Sequence, residues 1–183
     1  MKLLRITLLF LLFSNTIHAQ NAKQWMLGGG FTAVDDDCRP LKSVVNLLNG
    51  WNALSFPTAV SAEYYFSRSL SLDLAESITT YQVGNIIDGD TVTRGRLFVA
   101  GDANAKYHFY TLYKKVQWFD PYLAGGFGMT LRGKLVPTGN FGFGANFWLS
   151  KRVAINVQSM AKFSFMNRGT NYLQHCLGVR ILF

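Results

Sequence analysis

Apart from the first residues, no segment of this chain approaches the 18 or so consecutive apolar residues that a membrane-crossing helix needs, and no stretch keeps a helical period. A helical membrane bundle is thereby excluded. Charged residues make up only 15% of the chain, a scarcity that suits a protein with an apolar exterior. No cysteine closely follows the amino-terminal apolar run, which argues against lipoprotein processing, and the only two cysteines are Cys38 and Cys176. No linker or internal repeat divides the chain, so one domain is expected.

What is present begins with a leader. Lys2 and Arg5 precede an apolar run from Ile6 to Phe13, followed by a polar stretch ending in the small residue Ala19. That layout predicts a secretory signal peptide over residues 1–19, cleaved before Gln20, with residues 20–183 as the mature domain. The formal net charge of +8 would in another setting suggest nucleic acid. An exported protein does not meet nucleic acid, so a lipid or lipopolysaccharide surface is the expected partner.

Period-two alternation recurs through the rest of the chain. Val153, Ile155, Val157, Ala161, Phe163 and Phe165 alternate with Asn156, Gln158, Lys162 and Ser164; Phe141, Phe143, Ala145, Phe147 and Leu149 alternate with Asn140, Gly142, Gly144 and Asn146. Phe56, Val60, Ala62, Tyr64 and Phe66 are likewise set against Ser61 and Glu63. Such segments predict strands near 24–34, 56–66, 70–81, 95–109, 118–130, 139–149, 153–165 and 171–183. Connections at 67–69 and 150–152 are tight and the one at 110–117 moderate, whereas 35–55, 82–94, 131–138 and 166–170 are mostly longer. Short turns on one side and longer loops on the other match a transmembrane barrel, with turns in the periplasm and loops outside. One strand face is bulky and aromatic while the other is Asn, Gln, Ser, Gly and Lys. Packed inward, the aromatic face would overfill a small barrel; turned outward it forms a lipid-facing band, with Tyr64, Phe66, Tyr107, Phe109, Trp118 and Phe119 as an interfacial girdle. The expected fold is all-β, an eight-stranded antiparallel up-and-down transmembrane barrel in a Gram-negative outer membrane.

The carboxyl end adds to this. Gly178, Ile181 and Phe183 are spaced G-x-x-Φ-x-Φ and end on an aromatic residue, which looks like the signal by which the barrel assembly machinery recognises its clients. Five pieces, WNALSFPTAVSAEYYFSRSLSLDL, GDANAKYHF, WFDPYLAGGFGM, GNFGFGANFWLSKRVAINVQS and YLQHCLGVRILF, together resemble in order the amino-terminal barrel of OmpA-family proteins from Bacteroidota. In that family a peptidoglycan-gripping domain commonly follows the barrel. The chain ends at Phe183, so the resemblance implies a barrel-only relative, closer in layout to OmpX-like proteins. Its implied roles are structural, at the surface or within a larger membrane complex, and not enzymatic.

Candidate chemistry is sparse, and neither cofactor nor metal is expected. Asp35, Asp36 and Asp37 could ligate calcium, but without EF-hand spacing they read as a solvated loop start, and Asp88 and Asp90 around Gly89 read as a loop-tip turn. His108 and His175 are candidate bases for a lipid-modifying enzyme, yet no Ser or Asp is evidently grouped with either. The glycines at 28–30 and 125–128 lack the Lys-Ser/Thr of a phosphate loop and more simply relieve crowding. Arg68, Lys114, Lys115, Lys151 and Arg152 fall in the periplasmic turns, suited to phospholipid head groups or a periplasmic partner. Cys38 and Cys176 could bridge in the oxidising periplasm or remain two thiols. If the first strand runs outward, Glu63, Asp73, Lys106 and Arg180 face the lumen near the periplasmic end, Asp102 lies at mid-depth, and Arg96 and Lys162 sit higher. Charges so confined must pair, predicting a plugged interior. A narrow passive channel remains the alternative.

Overall fold

Residues 24–35, 51–81, 83–84, 86–87, 90–109, 118–131, 134–166 and 171–183 are described by a computed structural model of the protein. The expected signal peptide lies outside these residues, as do Asp36, Asp37, Cys38, Asp88, Lys114 and Lys115. The alternating segments form β1 (Gln24–Asp35), β2 (Trp51–Ala53), β3 (Ala59–Tyr65), β4 (Leu70–Tyr81), β5 (Ile86–Ile87), β6 (Asp90–Thr91), β7 (Arg96–His108), β8 (Phe119–Leu131), β9 (Leu135–Trp148), β10 (Val153–Ser164) and β11 (Tyr172–Leu182). Each long strand pairs antiparallel with the next, and β11 pairs back onto β1. Because β2 and β3 both lie along β1, they are two parts of one interrupted strand. The result is a closed eight-stranded up-and-down barrel, with β5 and β6 as a small separate hairpin in the β4–β7 connection.

Burial is inverted relative to a soluble protein. On β10, Ala154, Asn156, Gln158, Met160 and Lys162 are buried, whereas Ile155, Val157 and Phe163 are exposed. The same reversal holds around the wall: Leu74, Phe127, Phe141, Phe143 and Leu177 are all more than half exposed, while Glu63, Asp73, Asn104, Lys106 and Thr138 are fully buried. Water would not tolerate so continuous an apolar exterior, but hydrocarbon requires it. Aromatic rings gather at one end, Trp25 on Tyr64 at 4.9 Å, Tyr107 on Phe109 at 5.3 Å and Phe119 on Phe147 at 5.4 Å. This is the interfacial girdle, and it marks the end that carries the tight turns.

Two of those turns are built alike. Ser67 Oγ accepts the N–H groups of Ser69 and Leu70 at 3.2 and 3.0 Å, and Ser150 Oγ accepts those of Arg152 and Val153 at 3.3 and 3.1 Å. The serine side chain thus stands in for a backbone acceptor. Arg68, Lys151 and Arg152 are left exposed to water or head groups.

Several boundaries differ from expectation, since β2 lies within the connection expected over 35–55 and β5 and β6 within that expected over 82–94. β9 begins at Leu135, so β8 and β9 pair from Leu131 and Leu135 onward, and the connection expected over 131–138 shortens to the residues between those two. Pro137 falls within β9. It is tolerated because its carbonyl accepts Phe165 N at 3.2 Å beyond the last β9–β10 register pair, Thr138 with Ser164, so its missing N–H points past the end of the ladder. Asp35, expected as a solvated loop start, is only 4% exposed, being held between Trp51 and Leu173 in register.

A closed barrel resists detergent, so the mature protein should migrate faster on gels unheated than boiled, and identical mobility would contradict closure. Val157, 45% exposed on the outer wall, should cost about 2 to 4 kcal/mol when changed to Lys. Asn156→Lys, pointing into the lumen, should cost much less in the same unfolding titration.

Candidate functional site

The lumen concentrates the polar chemistry of the chain, and three levels can be distinguished. At the turn end, Lys106 Nζ lies 3.0 Å from both Glu63 Oε2 and Asp73 Oδ2. Arg180 Nη1 pairs with Glu63 Oε2 and lies 3.4 Å from Asp73 Oδ1. The lysine also stands 4.7 Å over the Tyr122 ring, a cation–π contact. Four strands contribute, β3, β4, β7 and β11, each offering an inward position at one level because the register sets Glu63 opposite Asp73 and Asp73 opposite Asn104, two residues from Lys106. The structure therefore brings together Glu63, Asp73, Lys106 and Arg180.

His108 extends this cluster in a way the sequence did not suggest. Its Nε2 is 3.0 Å from Glu63 Oε1 and its Nδ1 is 2.9 Å from Asp120 Oδ2, while its ring lies between those of Tyr65 and Tyr122, tilted to both, at 5.1 and 5.2 Å. Carboxylates only accept hydrogen bonds, so His108 completes both as the imidazolium. Three carboxylates, Glu63, Asp73 and Asp120, then meet three cations, Lys106, Arg180 and His108, and the cluster is neutral. Asn146 Nδ2 donates to Asp120 at 3.1 Å, Asn156 Nδ2 to Asn146 Oδ1 and Tyr122 OH at 2.8 Å each, and Tyr122 OH to Gln158 at 2.9 Å. Gly144 makes room for that tyrosine, since a Cβ there would lie 2.5 Å from Tyr122 Cζ.

Ser71 also joins, its Oγ donating to Glu63 Oε1 at 2.5 Å and lying 3.1 Å from His108 Nε2. Ser71, His108 and Asp120 thus have the outline of a nucleophile, base and orienter, a grouping not evident along the chain. The serine proton is directed to Glu63, and all three side chains are buried.

At mid-depth Asp102 pairs with Lys162 and accepts from Asn140 Nδ2 at 2.9 Å. Beside it a cavity of about 50 Å³, lined by Ser61, Asp73, Ser77, Gln158, Gln174 and Cys176 among others, is large enough for a few water molecules. The Cys176 thiol lies 3.5 Å from Thr32 Oγ1; the considered bridge to Cys38 falls outside the described residues. At the loop end the lumen is apolar. Val34, Tyr81, Phe98, Ala100 and Tyr172 are buried together, with Phe98 edge-on to both tyrosines at 5.6 Å. Arg96, expected inside, shares the inward parity of β7 but is exposed at the rim, and Phe98 occupies the space below it. His175 lies on an outward position of β11, away from the charged cluster. Ile181 and Phe183 face outward at the turn end, 43% and 69% exposed, and Phe183 N donates to Trp25 O at 2.8 Å. Gly178 faces inward opposite Gly30, where a Cβ would meet Gly29 O at 2.6 Å.

No protein-family model matches the chain, and no curated protein matches it. Solved structures of the same fold do. The amino-terminal barrel of Pseudomonas aeruginosa OprF superposes with a TM-score of 0.56 at 13% identity, covering 90% of this chain and 100% of that one. Neisserial surface protein A gives 0.54 at 13%, covering 88% and 97%. Ail, the attachment invasion locus protein of Yersinia pestis, gives 0.51 at 12%, also covering 88% and 97%. The fold is therefore that of the small OmpA-like and OmpX-like outer-membrane barrels.

Removing one member of the turn-end cluster strands buried charge. Arg180→Ala should lower stability by about 3 to 5 kcal/mol, measured by denaturant unfolding in detergent or lipid, whereas Lys151→Ala in an exposed turn should leave the midpoint in place. An unchanged midpoint for Arg180→Ala would remove the cluster from the account of stability.

Proposed function

We propose that this chain is an outer-membrane barrel with a structural or interaction role, related to the Bacteroidota OmpA-family barrels, and that it neither conducts nor catalyses. The observation that carries the reading is the filled lumen. A neutral cluster of six charges closes the turn end, Tyr81, Phe98 and Tyr172 close the loop end, and the space between them has room for only a few waters. An eight-stranded barrel is just wide enough for side chains to fill it. The surfaces left for recognition are the outer wall and the connections.

Outer-membrane lipid and lipopolysaccharide are the expected surroundings, with Arg68, Lys151 and Arg152 on periplasmic head groups. Gly178, Ile181 and Phe183 are assigned to recognition by the barrel assembly machinery, and a larger outer-membrane complex is the natural setting for the connecting loops. An enzymatic reading has one specific observation in its favour, the Ser71–His108–Asp120 grouping. It fails on access and on the Glu63 contact that holds the serine proton.

Purified barrel in planar bilayers should show no steady conductance; large, stable current steps would establish the channel reading instead. The same preparation should release no fatty acid from phospholipid or lipopolysaccharide vesicles. Release that disappears in Ser71→Ala would establish an enzyme.

A further inference from the structure

The outward wall of the barrel carries a carboxylate in the middle of its apolar band. Apart from Asp35 at the loop end of β1, Glu76 is the only Asp, Glu, Lys or Arg at an outward position of the barrel strands among the described residues. It is exposed on β4 between Leu74 and Ile78, opposite Val60 of β3 and Gly101 of β7. Six residues below it on the same strand, Leu70 lies opposite Tyr107 of the aromatic girdle. At ~3.3 Å per residue and a tilt of ~40°, Glu76 stands roughly 15 Å above that girdle, within an apolar band about 25 Å tall. No described side chain lies within hydrogen-bond or ion-pair distance of its carboxylate.

An ionisable group facing hydrocarbon is costly, and such groups pair where they persist. The wall around Glu76 is shaped for close approach. Next to Glu76 the outward positions include Gly101, Ala103 and Ala105 on β7 and Ala62 on β3 beside the directly opposed Val60, and Gly29 of β1 lies opposite Val60. A Cβ at Gly101 would meet nothing within 4 Å. Small residues let backbones come together in lipid. A second copy of the chain would bring the same wall, which offers Glu76 no described cation. Charge complementarity therefore selects a different partner.

We propose that the β3–β4–β7 face around Glu76 is an intramembrane docking surface for a membrane-embedded protein segment presenting one Lys or Arg at mid-depth. This rests on the interaction-barrel reading, whose conductance test is independent of the one below. The pair would form in a low-dielectric medium, where opposite charges attract far more strongly than in water, and the small residues would admit the partner's backbone.

Two measurements test this. In the isolated barrel Glu76→Leu should raise the unfolding midpoint, because an unpartnered charge leaves the lipid face; a lowered midpoint would mean that Glu76 supports the barrel itself and would overturn the proposal. The second uses a membrane-spanning polyleucine peptide with a single central Lys, co-reconstituted with the barrel in phosphatidylcholine vesicles and followed by energy transfer. Association should exceed that of the all-leucine peptide at least fivefold and fall to the all-leucine level in Glu76→Gln, which keeps its heat-sensitive gel mobility. Equal association of both peptides, insensitivity to Glu76→Gln, or Glu76-dependent self-association of the barrel without peptide would each overturn it.

Discussion

Closure of β1 against β11, residue by residue from Met26 opposite Leu182 to Asp35 opposite Leu173, is the constraint from which the rest of the molecule follows. Hydrocarbon offers no partner for an open strand edge, so a sheet can cross it only when every backbone N–H and C=O is paired within the sheet. Once the sheet is a ring, each strand has one face toward lipid and one toward an enclosed space. The apolar positions must go outward and the polar ones inward, reversing the distribution of a water-soluble domain. The seam itself is thin, with Gly30 opposite Gly178, where neither strand could carry a side chain without displacing the other.

Enclosure turns polar side chains into a packing problem with an electrostatic condition. Glu63 meets Lys106, Arg180, His108 and Ser71, so its two oxygens are saturated by donors from three other strands. A carboxylate so placed is stable only with those donors in position. The two ends solve the same filling problem with different materials. Charges and amides interlock near the turns, while three edge-on rings pack near the loops, and the small residues Ala75 and Ser77 help to leave a short open interval between them.

Much of this was legible in the alternation, because in a membrane barrel the period-two pattern is strict on both faces. Strand limits fall within a few residues of expectation for Gln24–Asp35, Leu70–Tyr81 and Val153–Ser164, and the inward set Glu63, Asp73, Lys106 and Arg180 follows from parity alone. What parity cannot supply is height along the barrel. His108, Asp120 and Ser71 share inward parity, yet their meeting depends on the register that sets His108 opposite Tyr122, which no local pattern encodes. Height also decides Arg96, inward by parity but above the lumen. The buried rings of Tyr81, Phe98 and Tyr172 escaped notice for a chemical reason, since aromatics on a barrel strand read as lipid-facing. Around Phe98 the flanking Leu97 and Val99 erase the alternation that would have distinguished inside from outside.

The chain order of the buried charges bears on how such a molecule can be completed. Glu63 and Asp73 are synthesised first, Lys106 and His108 follow, and Asp120 adds another negative charge. Arg180 arrives last, 117 residues after Glu63, on the strand that closes the ring. An intermediate complete but for β11 therefore carries a turn-end cluster with one uncompensated negative charge as well as two open edges. Electroneutrality and topological closure are reached together, so a truncated or misregistered chain is penalised twice by the same missing strand.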